Sequence, residues 1–83
     1  MPKRASMPRY YFPSWDRDSF VPDEEGLAFE GIDQARAQAT QALPEMAKDI
    51  LPISGGNRIL TMHVTDGDAP LLELRLTFEI ARK

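Results

Sequence analysis

The one histidine of the chain, His63, has the clearest chemical potential, because an imidazole can act as a general base or ligate a metal near neutral pH. It falls on the polar side of an alternating row of residues. No serine or carboxylate close to it in sequence forms an obvious catalytic partner. The pattern favours a surface histidine, and we assign no catalytic residue.

Three groups of acidic residues offer oxygen atoms that suit a hard cation. They are Asp16 with Asp18, Asp23 with Glu24 and Glu25, and Asp66 with Asp68. None has the spacing and closing glutamate of a calcium-binding EF-hand loop. All lie beside Gly, Pro or Ser at predicted turns, where aspartate hydrogen-bonds to nearby backbone. We therefore expect turn chemistry, with no metal and no other cofactor.

The segment 54–58, Ser-Gly-Gly-Asn-Arg, has a superficial likeness to a phosphate-binding loop. The Walker pattern needs a following lysine and leads into a helix, whereas this segment leads into a predicted strand. We interpret it as a connection between a helix and a strand.

Aromatic and basic residues are the last candidates, because an uncovered sheet face that carries them can stack single-stranded bases. They are Tyr11, Arg9, Arg58, Arg75 and Trp15. The same residue types are enriched at protein interfaces. The formal net charge of −3 provides no field that attracts a polyanion, so it favours a protein partner over nucleic acid.

An amphipathic helix between Ile32 and Leu51 is the first element that must position these residues. Its apolar stripe follows steps of three, four and seven, namely Ile32, Ala35, Ala39, Ala42, Leu43, Met46 and Ile50. Gly31 is a tolerable N-cap. Pro44 lacks an N–H, so the helix should kink or split there, and Pro52 with the glycines at 55 and 56 should end it.

Strand patterns flank this helix. After it, Leu60, Met62 and Val64 and then the even positions from Leu72 to Ile80 alternate with mainly polar residues, and residues 66–70 form the turn between two strands. Before it, a strand is predicted over 9–14, a turn over 14–19, a short strand at 20–21, and a further short strand over 27–29.

The elements together predict an α+β fold in the order ββ(β)αββ, with the helix across one face of an antiparallel sheet of about four strands. Residues 1–8 are predicted to be a flexible arm, and residues 9–83 a single domain. The uncovered sheet face would then carry the candidate binding residues Tyr11, His63, Arg75 and Arg58.

The chain of 83 residues is short, so its core is thin and self-association is a reasonable expectation. It contains no cysteine, which fits a reducing compartment, and we expect a cytoplasmic protein. No run of apolar residues approaches the roughly 20 needed to cross a membrane.

Three short motifs in order resemble a known family. They are Met-Pro-Arg-Tyr-Tyr-Phe at 7–12, Asp-Glu-Glu-Gly at 23–26 and Ala-Arg-Ala at 35–37. The chain resembles, from residue 7 to about residue 80, the small, mostly alphaproteobacterial proteins grouped as domain of unknown function 6894. The resemblance implies a cytoplasmic bacterial protein of unknown role. Two departures are the extra residues 1–6 and Pro44.

A weaker similarity of pattern links Tyr10, Gly26 and the alanine-rich residues 35–42 to the antitoxin domain of the HicB type. Our preferred hypothesis is a non-catalytic accessory or interaction module that forms a homodimer or binds another protein. The alternative is an antitoxin-like or nucleic-acid-linked regulatory domain. An enzyme ranks third, because no nucleophile, base and oxyanion donors converge in the sequence.

Overall fold

A four-stranded antiparallel sheet, a two-stranded ribbon and one helix make up the fold. The computed structural model describes residues 7–17, 19–54 and 56–83. In chain order the elements are β1 (Arg9–Tyr10), β2 (Ser14–Asp16), β3 (Ser19–Val21), β4 (Leu27–Ala28), α1 (Ile32–Ser54), β5 (Arg58–Thr65) and β6 (Pro70–Phe78). The predicted α+β class and the order ββ(β)αββ are confirmed.

The strands of the main sheet lie in the order β3-β2-β5-β6, and each pairs antiparallel with its neighbour. Trp15 stands opposite both Phe20 and Thr61, and Thr61 stands opposite Arg75. Because directly opposite residues share a face, these side chains form one row across the sheet. The ribbon pairs β1 with β4 and places Tyr10 opposite Leu27.

The backbone between β1 and β2 continues along β5. Tyr11 and Thr65 exchange N–H···O=C hydrogen bonds of 2.8 and 2.9 Å, and the His63 N–H donates to the Pro13 carbonyl at 2.9 Å. The register is therefore constant from Tyr11 to Trp15. Since side chains alternate between faces, Tyr11, Pro13 and Trp15 lie on the same side of the sheet as His63.

The predicted turn over residues 14–19 is wrong in extent. Ser14–Asp16 forms strand β2, so the connection to β3 consists of Arg17 and residue 18, and Asp18 lies outside the described residues. Arg17 has a φ of 57°, the left-handed conformation found in tight turns. β2 forms because it has a hydrogen-bonded neighbour on each side, which local composition does not reveal.

The helix is continuous from Ile32 to Ser54, so of the predicted kink or split at Pro44 the split does not occur. The helix continues past Pro52 and ends at Ser54, before the glycines at 55 and 56 that were predicted with Pro52 to end it. Pro44 has no N–H to donate to the Thr40 carbonyl. Both residues are exposed, so this carbonyl can bond to water. Leu43 and Ala47 on either side of Pro44 are buried against the sheet. Packing of this face therefore outweighs the missing hydrogen bond.

The core lies between α1 and the adjacent sheet face. Its buried residues are Tyr10, Ala35, Ala39, Leu43, Ala47, Leu60, Met62 and Val64. Alanines at a four-residue spacing form most of the helix stripe and allow close approach to the sheet. Ala47 belongs to this core although the predicted stripe omitted it, whereas Ile32, which the stripe included, is 36% exposed.

Most of the predicted N-terminal arm, residues 1–6, lies outside the described residues. Its last two residues, Met7 and Pro8, are described and exposed, and the Pro8 carbonyl accepts a hydrogen bond from the Phe29 N–H at 3.0 Å. Within the described part of the chain, no helix has the length and apolar content to cross a membrane.

Candidate functional site

The side of the four-stranded sheet that α1 does not cover is termed the open face. Registers and the burial alternation of β5 place on it Tyr11, Pro13, Trp15, Phe20, Ile59, Thr61, His63, Thr65, Glu73, Arg75 and Thr77. Three of the predicted binding residues, Tyr11, His63 and Arg75, therefore share this face. They do not form one contact, because Tyr11 lies at the end of the sheet that holds the β5–β6 turn.

An aromatic cluster of Trp15, Phe20 and His63 occupies the middle of the open face. The Trp15 ring centroid lies 5.0 Å from that of Phe20 and 4.6 Å from that of His63, with interplanar angles of 35° and 56°. Trp15 and His63 are half-buried, whereas Phe20 is 52% exposed. The cluster thus presents a large apolar ring to solvent on a base of packed rings.

A line of polar groups borders the aromatic cluster on the β6 side. The His63 Nε2 lies 3.2 Å from Glu73 Oε1, and the other carboxylate oxygen of Glu73 accepts a hydrogen bond from Arg75 Nη2. Glu73 therefore joins a ring nitrogen and a guanidinium. The arrangement fixes the orientation of His63 and supplies hydrogen-bonding groups on the β6 side of the aromatic cluster, with β2 and β5 between them and Phe20 on β3.

Tyr11 forms part of a shallow depression of about 480 Å³ at one end of the open face. It is lined by Tyr11, Pro13, Phe20, Pro22, Asp23 and residues 65–68. The edge of the Tyr11 ring lies against Gly26, where a Cβ atom would come within 2.8 Å of two ring carbons. Tyr11 is half-buried and is held on its backbone side by Thr65.

Asp23 organises the acidic segment before β4. Its Oδ2 accepts a hydrogen bond from the Phe12 N–H at 2.9 Å, and its Oδ1 accepts from the N–H groups of Glu25 and Gly26 at 3.3 and 3.1 Å. The two bonds to Oδ1 are those of a turn-forming aspartate, as the sequence predicts. Among the described residues, no group of three or more His, Cys, Asp or Glu could hold a metal ion.

Asp66 has the same role between β5 and β6. Its Oδ1 accepts hydrogen bonds from the N–H groups of Asp68 at 2.9 Å and Ala69 at 3.1 Å. These two bonds favour the ionised form and lower the pKa of Asp66 below its ordinary value. The carboxylate of Asp66 thus orders a turn at the rim of the depression.

A lowered pKa makes the free energy of unfolding depend on pH. The ionised Asp66 contributes stability above its ordinary pKa of about 4, and that contribution is lost as the pH falls through the lower folded value. Asp66→Asn keeps an acceptor oxygen but does not titrate. We expect its urea midpoint to fall less than that of the unmodified protein between about pH 5 and about pH 2. Equal losses in both proteins would contradict this assignment.

The prediction that Arg58 lies on the open face is wrong. Arg58 stands two residues before buried Leu60 and four before buried Met62, so it shares their face and lies on the helix side of the sheet. Its Nε lies 3.3 Å from Asp16 Oδ1, and the two side chains are only 16% and 17% exposed. Asp16 is available to it because residues 14–16 form a strand in place of the predicted turn.

Sequence reasoning missed Phe20 as a residue of the open face, and it named Trp15 only among the candidates for an aromatic and basic patch. For Trp15 a signal was available, because Tyr11, Pro13 and Trp15 occupy every second position. That period is typical of one face of a strand. The turn-forming residues around Trp15 concealed it.

A small α+β domain with a helix on one sheet face and an aromatic cluster on the other is the class that this fold and site define. The family model described as "Domain of unknown function (DUF6894)" matches residues 9–77, which run from β1 into β6. The chain belongs to this family, as its short motifs predict. No curated protein and no solved structure matches the chain.

Proposed function

We propose that the protein is a non-catalytic binding module and that its open face binds another protein through the aromatic cluster. The observation that carries the proposal is the exposure of Phe20, which is 52% exposed although its ring packs against Trp15. An exposed ring on a rigid aromatic base is typical of the anchors of protein interfaces.

The surroundings of the cluster support the same proposal. Interfaces combine an apolar centre with a polar rim, and here Glu73 and Arg75 border the aromatic rings. Ile59, on the same face, is 52% exposed and extends the apolar surface toward the start of β5. The partner that fits this face is therefore a protein surface with apolar side chains at its centre and hydrogen-bonding groups around them.

The composition of the open face supports binding over catalysis. In the described part of the chain, His63 bonds to Glu73, and no side-chain nucleophile is hydrogen-bonded to either of them. A catalytic site needs a nucleophile or substrate position within reach of the base. The polar groups of the face instead bond to one another, as the rim of a binding surface does.

The test compares Phe20→Ser with Ile32→Ser, which removes an exposed apolar side chain at the start of α1. Immobilised forms of both variants and of the unmodified protein are exposed to a lysate of the source cells. A retained protein is then purified and titrated by calorimetry. We expect Phe20→Ser to weaken its binding at least about tenfold and Ile32→Ser to leave it unchanged.

Two controls make the result decisive. Circular dichroism must show the same secondary structure in all three proteins, because Phe20 and Ile32 both lie at the surface. Binding that is equally strong in both variants would place the partner elsewhere and overturn the proposal.

One observation favours a nucleic-acid-linked or antitoxin-like role as the second candidate. Exposed aromatic rings on an open sheet can stack single-stranded bases. Against it, Arg75 is the only arginine or lysine among the open-face residues named above, and the net charge is −3. Salt-sensitive binding of a thymidine oligomer of about 15 nucleotides, lost in Phe20→Ser, would favour this role over a protein partner.

A further inference from the structure

The outer edge of β6 offers a surface that the open-face proposal does not use. β6 runs from Pro70 to Phe78, and among the described residues it pairs only with β5. The edge at the other side of the sheet, β3, is only three residues long. A long edge strand presents unpaired N–H and C=O groups that can pair with another strand.

The hydrogen bonds of β5 show which β6 groups point outward. Thr65 and His63 bond toward the β2 side, so the even-numbered residues of β5 point their backbone groups toward β6. Met62 stands opposite Leu74. The even-numbered residues of β6 therefore bond to β5, and Glu73, Arg75 and Thr77 direct their N–H and C=O groups to the free edge.

The usual protections of an edge strand are sparse here. Proline occurs only at the first position of β6, no lysine occurs in the strand, and the register shift lies near its start, between Val64 and Thr65 on the facing strand. The two charged residues of β6, Glu73 and Arg75, are opposite in sign and bond to each other. The edge therefore carries no net charge that would repel a second copy.

The charges also select a register for two copies of β6. Antiparallel pairing through outward-facing residues permits a small set of alignments about a two-fold axis. When the axis passes at Leu74, Glu73 of each copy stands opposite Arg75 of the other. Moving the axis by one residue to position 73 places the two Glu73 side chains directly opposite each other, and moving it to position 75 does the same for the two Arg75 side chains. Like charges directly opposite each other are destabilising.

The helix side of β6 fits the same register. Leu72, Leu74 and Leu76 pack against the core but remain half-buried. With the axis at Leu74, each Leu72 stands opposite the Leu76 of the other copy, and the two Leu74 side chains meet. The incompletely covered leucine row of one copy would be extended by that of the other, which removes apolar surface from water.

We infer that two copies of the protein associate through their β6 edges, with Glu73 opposite Arg75 and Leu74 opposite Leu74. The result is a continuous eight-stranded sheet in which both helices lie on one side and both open faces on the other. This inference does not rest on the proposed function, because it uses the backbone edge and leaves the aromatic clusters free. The two proposals share only the side chains of Glu73 and Arg75.

Sedimentation equilibrium over a range of concentrations is the first test. We expect the mass to approach twice the chain mass of 9.4 kDa. Arg75→Glu and Glu73→Arg should each raise the dissociation constant at least tenfold, because each places like charges opposite. The double exchange Glu73→Arg with Arg75→Glu restores the opposite pairs and should recover most of the affinity. Phe20→Ser should dimerise like the unmodified protein.

Cross-linking then tests the register, since the chain has no cysteine of its own. Leu74→Cys places two thiols on a directly opposed pair with Cα atoms about 4.5 Å apart, which suits a disulfide. In Leu76→Cys, a matched change in the same row, the two thiols lie about 13 Å apart along the strands. Mild oxidation should link Leu74→Cys and leave Leu76→Cys unlinked.

A protein that remains a monomer at all concentrations would overturn the inference, as would a dimer unaffected by either single charge change. Equal cross-linking of the two cysteine variants would overturn the register. None of these outcomes affects the open-face proposal, whose test depends on Phe20 and a different partner.

Discussion

Replacing Gly26 with alanine is expected to lower the free energy of unfolding by about 3 kcal/mol. Gly26 has a φ of +67°, and a Cβ atom there would lie 2.6 Å from the Tyr10 carbonyl oxygen and 2.8 Å from two carbons of the Tyr11 ring. The left-handed conformation costs an L-residue roughly 1–2 kcal/mol. Overpacking against backbone adds typically about 1–3 kcal/mol. Urea denaturation of the purified variant measures the total.

Two further glycines separate these causes. Gly67 has a φ of +101°, but a Cβ atom there would meet only Tyr11 at an ordinary 3.6 Å, so Gly67→Ala should show the conformational cost alone. A Cβ atom at Gly56 would meet no atom within 4 Å, so Gly56→Ala should change stability by less than about 0.5 kcal/mol. If Gly26→Ala were no more destabilising than Gly67→Ala, the close approach of Tyr10 and Tyr11 would be refuted.

Leu60→Ala should be comparably destabilising, with an expected loss of about 3 kcal/mol within a range of about 2–5. Leu60 is 1% exposed and is among the largest fully buried side chains of the described core. It stands opposite Leu76 on β6 and Asp16 on β2, so the cavity left by alanine would lie beneath the helix in the middle of the sheet. The unfolding temperature should fall by more than about 10 °C.

The adjacent residue supplies the matched control for Leu60. Ile59 lies on the open face and is 52% exposed, so Ile59→Ala removes a side chain of the same size without leaving a buried cavity. We expect a loss of under about 1 kcal/mol. Similar losses at the two positions would mean that the faces of β5 have been assigned the wrong way round.

The second half of the fold was predictable because its signals are local. The alternation of Leu60, Met62 and Val64 assigns β5 and its buried face without knowledge of any other strand. The helix stripe is also local, and its period identifies α1 even though it contains Pro44. Turn aspartates such as Asp66 were identified correctly for the same reason.

The first half depends on contacts between residues distant in sequence. Ser14–Asp16 has turn-forming composition and becomes a strand only because β5 and β3 pair with it from either side. The error at Arg58 has a different origin, because the alternation of β5 already places Arg58 on the same side as Leu60 and Met62. A strand at 14–16 turns Asp16 toward the helix side, where its carboxylate pairs with Arg58. The local pattern of β5 therefore contains the face of Arg58 but not its pairing with Asp16.

The open face was predictable in part. His63 and Arg75 follow from the alternation of their own strands. The aromatic cluster was not, because it needs Phe20, Trp15 and His63 from three strands to meet. The bond between His63 and Glu73 also depends on the register between β5 and β6, which a single strand does not reveal.

The position of the one tryptophan has a practical consequence. Its indole ring packs against Phe20 and His63 on the open face, and the sequence has no second indole to contribute emission. Tryptophan fluorescence of the protein therefore originates from this face alone. The molecule thus carries its own optical reporter, which any ligand that covers Phe20 or displaces His63 would alter without an added label.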